Sequence, residues 1–224
     1  MIHEALASAA LTFTVLSPLP APEPGGERYS LLFSALDARG GDDRGAEAPG
    51  SAAAVDHAQE TAAAADFPLA IELIYEGYLL HYRRSRVASP GEHDGSRLLA
   101  GDYLYARGLR IVAAAGDVDS VHLLTRLMAV CSYLRAEGVD FVFDDEVWAF
   151  TVAALAAMRQ GCPVTRPGAT FDVAERALAG GELASLPGLL RNGAAALALR
   201  DARPLEPYLR GFRAAALPRR LPQL

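Results

Sequence analysis

The fold class of this chain follows from one stretch, Ser96–Gly138, which reads SRLLAGDYLYARGLRIVAAAGDVDSVHLLTRLMAVCSYLRAEG. Apolar residues recur at helical spacing on both sides of Asp117. The glycine before Asp117 favours the end of one helix, and aspartate is a good N-cap for the next. The stretch therefore predicts two consecutive helices, Arg97–Ala115 and Val118–Ala136.

The helical pattern continues on both sides of that stretch. Upstream, Pro68 can open a helix at its first turn, and apolar residues keep the 3.6-residue period as far as Arg86. Downstream, Asp144 and Asp145 precede a predicted helix at Glu146–Arg159. Shorter helices are predicted at Phe171–Ala179, Leu183–Ala198 and Leu205–Ala216. Because no segment alternates with a period of two, the sequence predicts an all-α fold, and short connections favour a helical bundle.

The chain is expected to have an N-terminal segment and one helical domain. Proline, glycine and alanine dominate residues 1–66, where too few large apolar side chains are present to offset the entropy lost on ordering. We expect this segment to be largely flexible, with one short helix at Glu27–Asp37. The helical domain is expected to span residues 67–224.

Charge and composition exclude several classes of protein. The 224 residues include 21 basic and 27 acidic side chains, for a net charge of -6, which argues against general nucleic-acid binding. Every basic residue other than histidine is arginine, so a Schiff-base or P-loop lysine is excluded. Two cysteines fit a reduced, cytoplasmic setting. The apolar run at residues 5–16 is shorter than the roughly 20 residues that span a bilayer.

Four segments in order resemble the trans-polyprenyl diphosphate synthase family. The run Leu99–Tyr103 (LAGDY) resembles the family's leucine-alanine-glycine-aspartate motif, and the Glu137-Gly138 pair ends a helix as in that family. Upstream, Ala70–His81 resembles the helix that leads into the family's first aspartate-rich motif. Downstream, Glu146–Cys162 resembles the helix that carries its lysine-threonine-alanine motif. The resemblance implies a shortened helical bundle of the isoprenoid synthase type.

The departures from the family concern the metal-binding machinery. Members of the family hold Mg²⁺ with two aspartate-rich motifs, and the ions neutralise the leaving diphosphate. Here the residues after His81 are Tyr82–Arg86, which carry no carboxylate. Phe150 stands where the family has its lysine, and nothing after Cys162 matches the second motif. The nearest candidate, Asp144-Asp145, is expected to cap a helix instead.

A member that keeps the helices but lacks the metal ligands resembles the non-catalytic small subunit (component 1) of heteromeric heptaprenyl diphosphate synthases. That resemblance implies a regulatory subunit that stabilises a catalytic partner and helps to set product chain length for isoprenoid quinones such as menaquinone. The catalytic partner would carry the aspartate-rich motifs and the Mg²⁺, and this chain would bind no cofactor. The expected location is the cytoplasm, and peripheral association with a membrane is the alternative.

The candidate site residues follow from the same resemblance, and none of them is expected to be catalytic. Arg83 and Arg84 are candidates for binding a diphosphate, because paired guanidinium groups bind phosphate oxygens well; a solvated basic helix end is the alternative. Gly101, Asp102 and Tyr103 are expected to be structural. A tyrosine stripe and one leucine are candidates for a subunit interface or an apolar pocket: Tyr75, Tyr78, Tyr82 and Leu98.

Two other functions remain open from the sequence. One is a divergent, metal-independent enzyme that handles prenyl diphosphates with Arg83, Arg84 and Arg86. The other is a helical lipid-binding or structural protein. Glu72 and Glu76 share one helix face and could pair as acids, but a solvated face is the expected arrangement for them.

Overall fold

The protein is all-α in a computed structural model that describes residues 16–18, 28–37, 53–90 and 94–209. Seven α-helices lie within these residues: α1 (Arg28–Asp37), α2 (Ala53–Tyr82), α3 (Asp94–Ala114), α4 (Val118–Ala136), α5 (Phe141–Arg159), α6 (Thr165–Ala179) and α7 (Leu186–Ala196). Short 3₁₀ turns occur at Leu183–Ser185 and Arg203–Leu205. The three-residue strands β1 (Leu16–Pro18) and β2 (Ala88–Pro90) pair antiparallel.

The described residues form two compact units. The first contains residues 16–18, 28–31, 53–90 and 94–121, and the second contains residues 32–37 and 122–209. The boundary thus divides the predicted domain 67–224 within α4. Of the predicted flexible segment 1–66, residues 1–15, 19–27 and 38–52 lie outside the described residues. Of the helices described, none combines the length and the apolarity that crossing a membrane requires.

In the first unit, α2 packs closely against α3 where glycines remove side-chain bulk. A Cβ atom on Gly77 would lie 2.8 Å from the Gly101 carbonyl oxygen, and one on Gly108 would lie 2.8 Å from that of Ala70. These distances are shorter than ordinary contacts, so the helices can approach this closely only because glycine lacks a Cβ. The core beside this crossing consists of Leu73, Leu80, Val87, Ala100 and Leu104.

The second unit is centred on α5, whose residues from Val147 to Ala157 are all buried. Phe150 contacts Phe171 of α6 at a ring-centroid distance of 5.6 Å. Gly193 of α7 leaves room for the Phe150 ring, because a Cβ there would lie 3.0 Å from it. At the other end of α5, Arg159 pairs with Asp37 at 3.1 Å. The second unit therefore buries α5 as its central helix.

Several predicted helix boundaries differ from the structure. The helix predicted to run to about Arg86 ends at Tyr82, the helix predicted from Arg97 begins at Asp94, and the helix predicted from Phe171 begins at Thr165. The helix predicted to begin at Phe67 begins at Ala53, and Pro68 lies inside it. Alanine has the highest helix propensity, so the alanine-rich run before Phe67 continues the helix upstream. The helix predicted to follow Asp144 and Asp145 begins at Phe141, because Asp140 is the N-cap and accepts the Val142 amide at 2.9 Å.

Two further differences lie in the C-terminal part. The single helix predicted over 183–198 begins as a 3₁₀ turn and becomes α7 only at Leu186. The helix predicted at Leu205–Ala216 is wrong over its described residues, where a 3₁₀ turn ends at Leu205 and residues 206–209 are not helical. Pro204 and Pro207 lack amide donors, which explains the short turns. Residues 210–216 lie outside the described part.

Candidate functional site

The arginine-rich segment after α2 divides its side chains between the surface and the interior. Arg84 is exposed, whereas Arg83 is half-buried and lies over the Tyr78 ring at 5.7 Å. Arg86 points inward, and its side chain is only 18% exposed. The segment therefore does not present three equivalent cations to a ligand.

Two glutamates of α2 receive the Arg86 side chain. Glu72 and Glu76 lie one helical turn apart, and both side chains are 0% exposed. Arg86 Nη2 lies 2.7 Å from Glu72 Oε2, and Arg86 Nε lies 2.9 Å from Glu76 Oε2. The expectation of a solvated pair is wrong for these glutamates. We call Glu72, Glu76 and Arg86 the acid–arginine cluster.

The second oxygen of Glu72 binds the beginning of α1. Its Oε1 accepts hydrogen bonds from the amides of Tyr29 at 3.1 Å and Ser30 at 2.8 Å. Amides in the first turn of a helix have no partner within the helix, and the helix dipole there favours a negative charge. Glu72 thus caps α1 through space, without being adjacent to it in sequence.

The second oxygen of Glu76 binds the segment that returns from α2. Glu76 Oε1 accepts hydrogen bonds from the Ser85 hydroxyl and from the Arg86 amide. Ser85 Oγ in turn accepts the Val87 amide at 3.2 Å. This chain of bonds holds residues 85–87 against α2, and Val87 joins the apolar core beside it.

The electrostatics of the cluster keep Arg86 charged. Burial lowers the pKa of Arg86, but the carboxylates of Glu72 and Glu76 outweigh that effect and hold it above its usual value. The guanidinium also lies over the Tyr75 ring at 4.8 Å, a favourable cation–π distance. All four carboxylate oxygens of the two glutamates have contacts within the chain. The arrangement of the cluster therefore favours a structural role, in which it stabilises the fold, over a role in acid–base chemistry.

The tyrosine stripe forms part of the same neighbourhood. Tyr75 meets Tyr29 edge-on at 4.7 Å and stacks on Tyr78 at 6.0 Å, and Tyr78 lies 5.5 Å from Tyr82. Tyr75 and Tyr78 are buried, and Tyr82 is half-buried. The rings of Tyr75 and Tyr78 therefore pack against other aromatic side chains of the same chain. Leu98, which the sequence grouped with them, is 41% exposed on α3.

The predicted structural motif lies at the crossing of α2 and α3. A Cβ on Gly101 would overlap the His81 ring. Asp102 Oδ1 lies 3.1 Å from His81 Nε2, and the His81 ring stacks on Tyr105 at 5.2 Å. The half-buried Tyr103 accepts a hydrogen bond from Arg107 at 3.3 Å. The contacts of His81 join α2 to α3 at the point where Gly101 lets the helices approach, whereas the Tyr103–Arg107 bond lies within α3.

Two positions in the second unit correspond to motifs that the resemblance singled out. Asp144 is fully buried and pairs with Arg135 at 2.8 Å, so it does not cap α5 as the sequence predicted. Phe150 lies in the core. Among the described residues, no group of three or more histidine, cysteine, aspartate or glutamate side chains is arranged to hold a metal ion.

The acid–arginine cluster was missed from the sequence, although a signal for it exists. Glu72 and Glu76 interrupt a run, residues 70–80, that is otherwise apolar or aromatic apart from Gly77. Carboxylates are almost never fully buried unless they are paired. A charge in such a run therefore indicates a buried partner, and Arg86 is the nearest arginine that folds back.

No protein-family model, curated protein or solved structure matches this chain.

Proposed function

We propose that this chain is a non-catalytic subunit of a heteromeric long-chain polyprenyl diphosphate synthase. In this role it stabilises a catalytic subunit and helps to set the chain length of a prenyl diphosphate destined for isoprenoid quinones. The fold would then be a shortened version of the isoprenoid synthase bundle. The catalytic subunit would carry the aspartate-rich motifs and the Mg²⁺, and the complex would work in the cytoplasm.

One observation carries this proposal. The resemblance aligns His81 with the residue that precedes the first aspartate-rich motif, and the segment that follows here contributes Arg86 to the acid–arginine cluster. Because this segment supplies the cation that pairs with two buried glutamates, it has a structural role in the fold. It does not present carboxylates to a diphosphate-bound metal, as catalysis in that family requires.

Two further contacts agree with a non-catalytic role. Phe150, in the place of the family's lysine, packs on Phe171 in the core of the second unit. Asp144, the nearest candidate for a second aspartate-rich motif, is paired with Arg135. The side chains of Phe150 and Asp144 thus both have partners within this chain.

The subunit contact is expected to use α3 more than α2. Every residue from Ala70 to Leu80 is buried, whereas α3 has exposed leucines at Leu98 and Leu99. Exposed apolar side chains that lie next to each other favour contact with another protein. A face of α3 is therefore the surface that we assign to the catalytic subunit.

The test is to purify the chain with its bound proteins from its own cells and to assay the complex for prenyltransferase activity. We expect a motif-complete synthase subunit to co-purify, and we expect long prenyl diphosphates only from the mixture. Recovery of the chain alone and inactive would contradict the proposal, as would activity or product length that does not change when the chain is added.

A matched pair of variants locates the contact. Leu98 is 41% exposed on α3, and Val173 is 40% exposed on α6. Leu98→Asp should reduce the amount of catalytic subunit that co-purifies, and Val173→Asp should leave it unchanged. Equal effects of the two variants would place the contact elsewhere.

A further inference from the structure

The helix α1 contacts the rest of the chain through one apolar face. Four side chains on this face are each at most 2% exposed: Tyr29, Leu32, Phe33 and Leu36. Three side chains away from this face are exposed: Leu31, Ser34 and Ala35. The spacing of the buried residues, i, i+3, i+4 and i+7, is the one by which an amphipathic helix binds to another protein. The helix α1 therefore contacts its own chain in the manner of a helical ligand.

Side chains from distant parts of the sequence bind the two ends of α1. Within the first unit, the amides of Tyr29 and Ser30 donate to the buried carboxylate of Glu72. Within the second unit, Gln160 Nε2 donates to the Leu36 carbonyl oxygen at 2.8 Å. Backbone groups at the ends of any helix lack partners inside that helix. These bonds therefore recognise the ends of a helix whatever side chains it carries.

The length of α1 and of its connection to α2 allows α1 to leave its place. The helix has ten residues, fewer than the roughly 12–15 that an isolated helix needs in water. Its helical form therefore depends on its contacts with the chain. Residues 38–52 connect it to α2, and 15 residues span up to about 50 Å when they are extended. The helix α1 can thus separate while α2, which carries Glu72, stays folded.

We propose that α1 is a displaceable ligand of its own chain, and that an amphipathic helix of a partner protein takes its place. The partner helix carries apolar or aromatic side chains at the same four positions and presents its first amides to Glu72. Without the partner, α1 keeps the apolar residues beneath it away from water. Because α1 competes with the partner helix, it lowers the apparent affinity in proportion to the fraction of chains in which it is bound.

This inference goes beyond the proposed synthase role and does not depend on it. Binding of the partner helix needs neither a prenyl diphosphate nor a synthase subunit. It also uses the residues beneath α1, and not the face of α3 that we assign to the catalytic subunit. Failure of one proposal therefore leaves the other unaffected.

The first test is binding of a fluorescent peptide, residues 27–38, to the full chain, measured by anisotropy. Leu32→Asp places a carboxylate on the buried face and should release α1. Leu31→Asp is the matched control, because Leu31 is 53% exposed, and it should leave α1 in place. We expect the peptide to bind the Leu32→Asp chain at least about tenfold more tightly than the unaltered chain or the Leu31→Asp chain. A peptide that itself carries Leu32→Asp should not bind.

A second peptide tests whether the helix pattern suffices for binding. It keeps the four buried side chains of α1 and has alanine or glutamine at every other position. This peptide should bind the Leu32→Asp chain within about tenfold of the first peptide, because the end contacts involve backbone groups. Absence of binding would overturn the inference that a helix of another protein can take this place. Equal affinity of the first peptide for all three chains would overturn it as well, since the peptide would then bind elsewhere.

Hydrogen exchange of the unaltered full chain tests displacement without any variant, and so it decides the question even if Leu32→Asp unfolds the protein. Local opening exposes amides without global unfolding. The protection factors of the Phe33 and Leu36 amides should be at least about tenfold lower than those of Val152 and Leu155, which are buried in α5. Equal protection of α1 and α5 would show that α1 separates only when the whole chain unfolds, and it would overturn the inference.

Discussion

The guanidinium of Arg86 forms a 2.7 Å ion pair with the fully buried carboxylate of Glu72. The same carboxylate accepts the amides at the start of α1. One glutamate of α2 thus connects a helix that precedes it in the chain with a loop that follows it. Because the pair is buried, removing one member leaves a charge without compensation.

Arg86→Met is expected to lower the free energy of unfolding by about 3–5 kcal/mol, because it leaves Glu72 and Glu76 buried with no cation between them. Chemical denaturation followed by circular dichroism measures the change. Arg84→Met is the matched control, since Arg84 is exposed in the same segment, and it should change the free energy by less than about 0.5 kcal/mol. Equal effects of the two variants would contradict the assignment of Arg86 to the cluster.

Gly101→Ala is expected to destabilise the protein by about 1–3 kcal/mol, because the new methyl group would overlap the His81 ring at the crossing of α2 and α3. Thermal unfolding measures the difference. Gly95→Ala, on the same helix, has no atom within 4 Å of its new Cβ and should leave stability unchanged or raise it by up to about 1 kcal/mol. A Gly101→Ala variant as stable as Gly95→Ala would contradict the close approach.

Ala198→Gly is expected to stabilise the protein by about 0.5–1 kcal/mol. Ala198 follows α7 with a φ of 55°, where a Cβ costs about 1–2 kcal/mol, and the larger unfolded-state entropy of glycine offsets part of the gain. Denaturant unfolding measures the change. Ala169→Gly is the control, because Ala169 is exposed within α6 and the same substitution there should cost about 0.5–1 kcal/mol. A loss of stability in both variants would show that residue 198 does not adopt the left-handed conformation.

Alkylation of Cys162 is expected to be slower in the folded protein than in the chain unfolded in urea at the same pH. Burial raises the pKa of the Cys162 thiol above its ordinary value despite the opposing effect of Arg166, so less of the reactive thiolate is present near pH 8. The alkylation rate of Cys162 in the folded protein should continue to rise with pH above the pH at which the alkylation rate in the unfolded chain reaches its plateau. Iodoacetamide labelling resolved by peptide mass spectrometry measures both rates, and faster labelling of the folded protein would contradict the pKa direction.

The helix with the clearest signals at its ends, α4, could be predicted from the sequence. The prediction of α4 at Val118–Ala136 is confirmed, and Asp117 accepts the Ser120 amide at 2.9 Å as an N-cap does. The start of α2 could not be predicted, because the alanine-rich run before Phe67 has no stop signal and Pro68 is equally compatible with a first turn. The local sequence therefore predicts the end of a helix only where a capping residue is present.

The acid–arginine cluster shows why most of the candidate site escaped prediction. Its partners at Tyr29 and Ser30 lie more than 40 residues from Glu72 in the chain, so spacing alone does not bring them together. For Arg83 and Arg84 the sequence left diphosphate binding and a basic helix end open, and both residues directly follow the end of α2. The sequence also indicated that Gly101 suits a close helix contact, as the structure shows. Which arginine turns inward depends on the buried carboxylates, and that pairing is a property of the folded chain.

The most direct test of the proposed role is to titrate this chain into a fixed amount of the motif-complete synthase subunit from the same cells and to measure prenyltransferase activity and product length. The account predicts that activity rises to a plateau at a fixed subunit ratio, and that long prenyl diphosphates appear only with the chain present. Activity and product length that are the same at every ratio would contradict it.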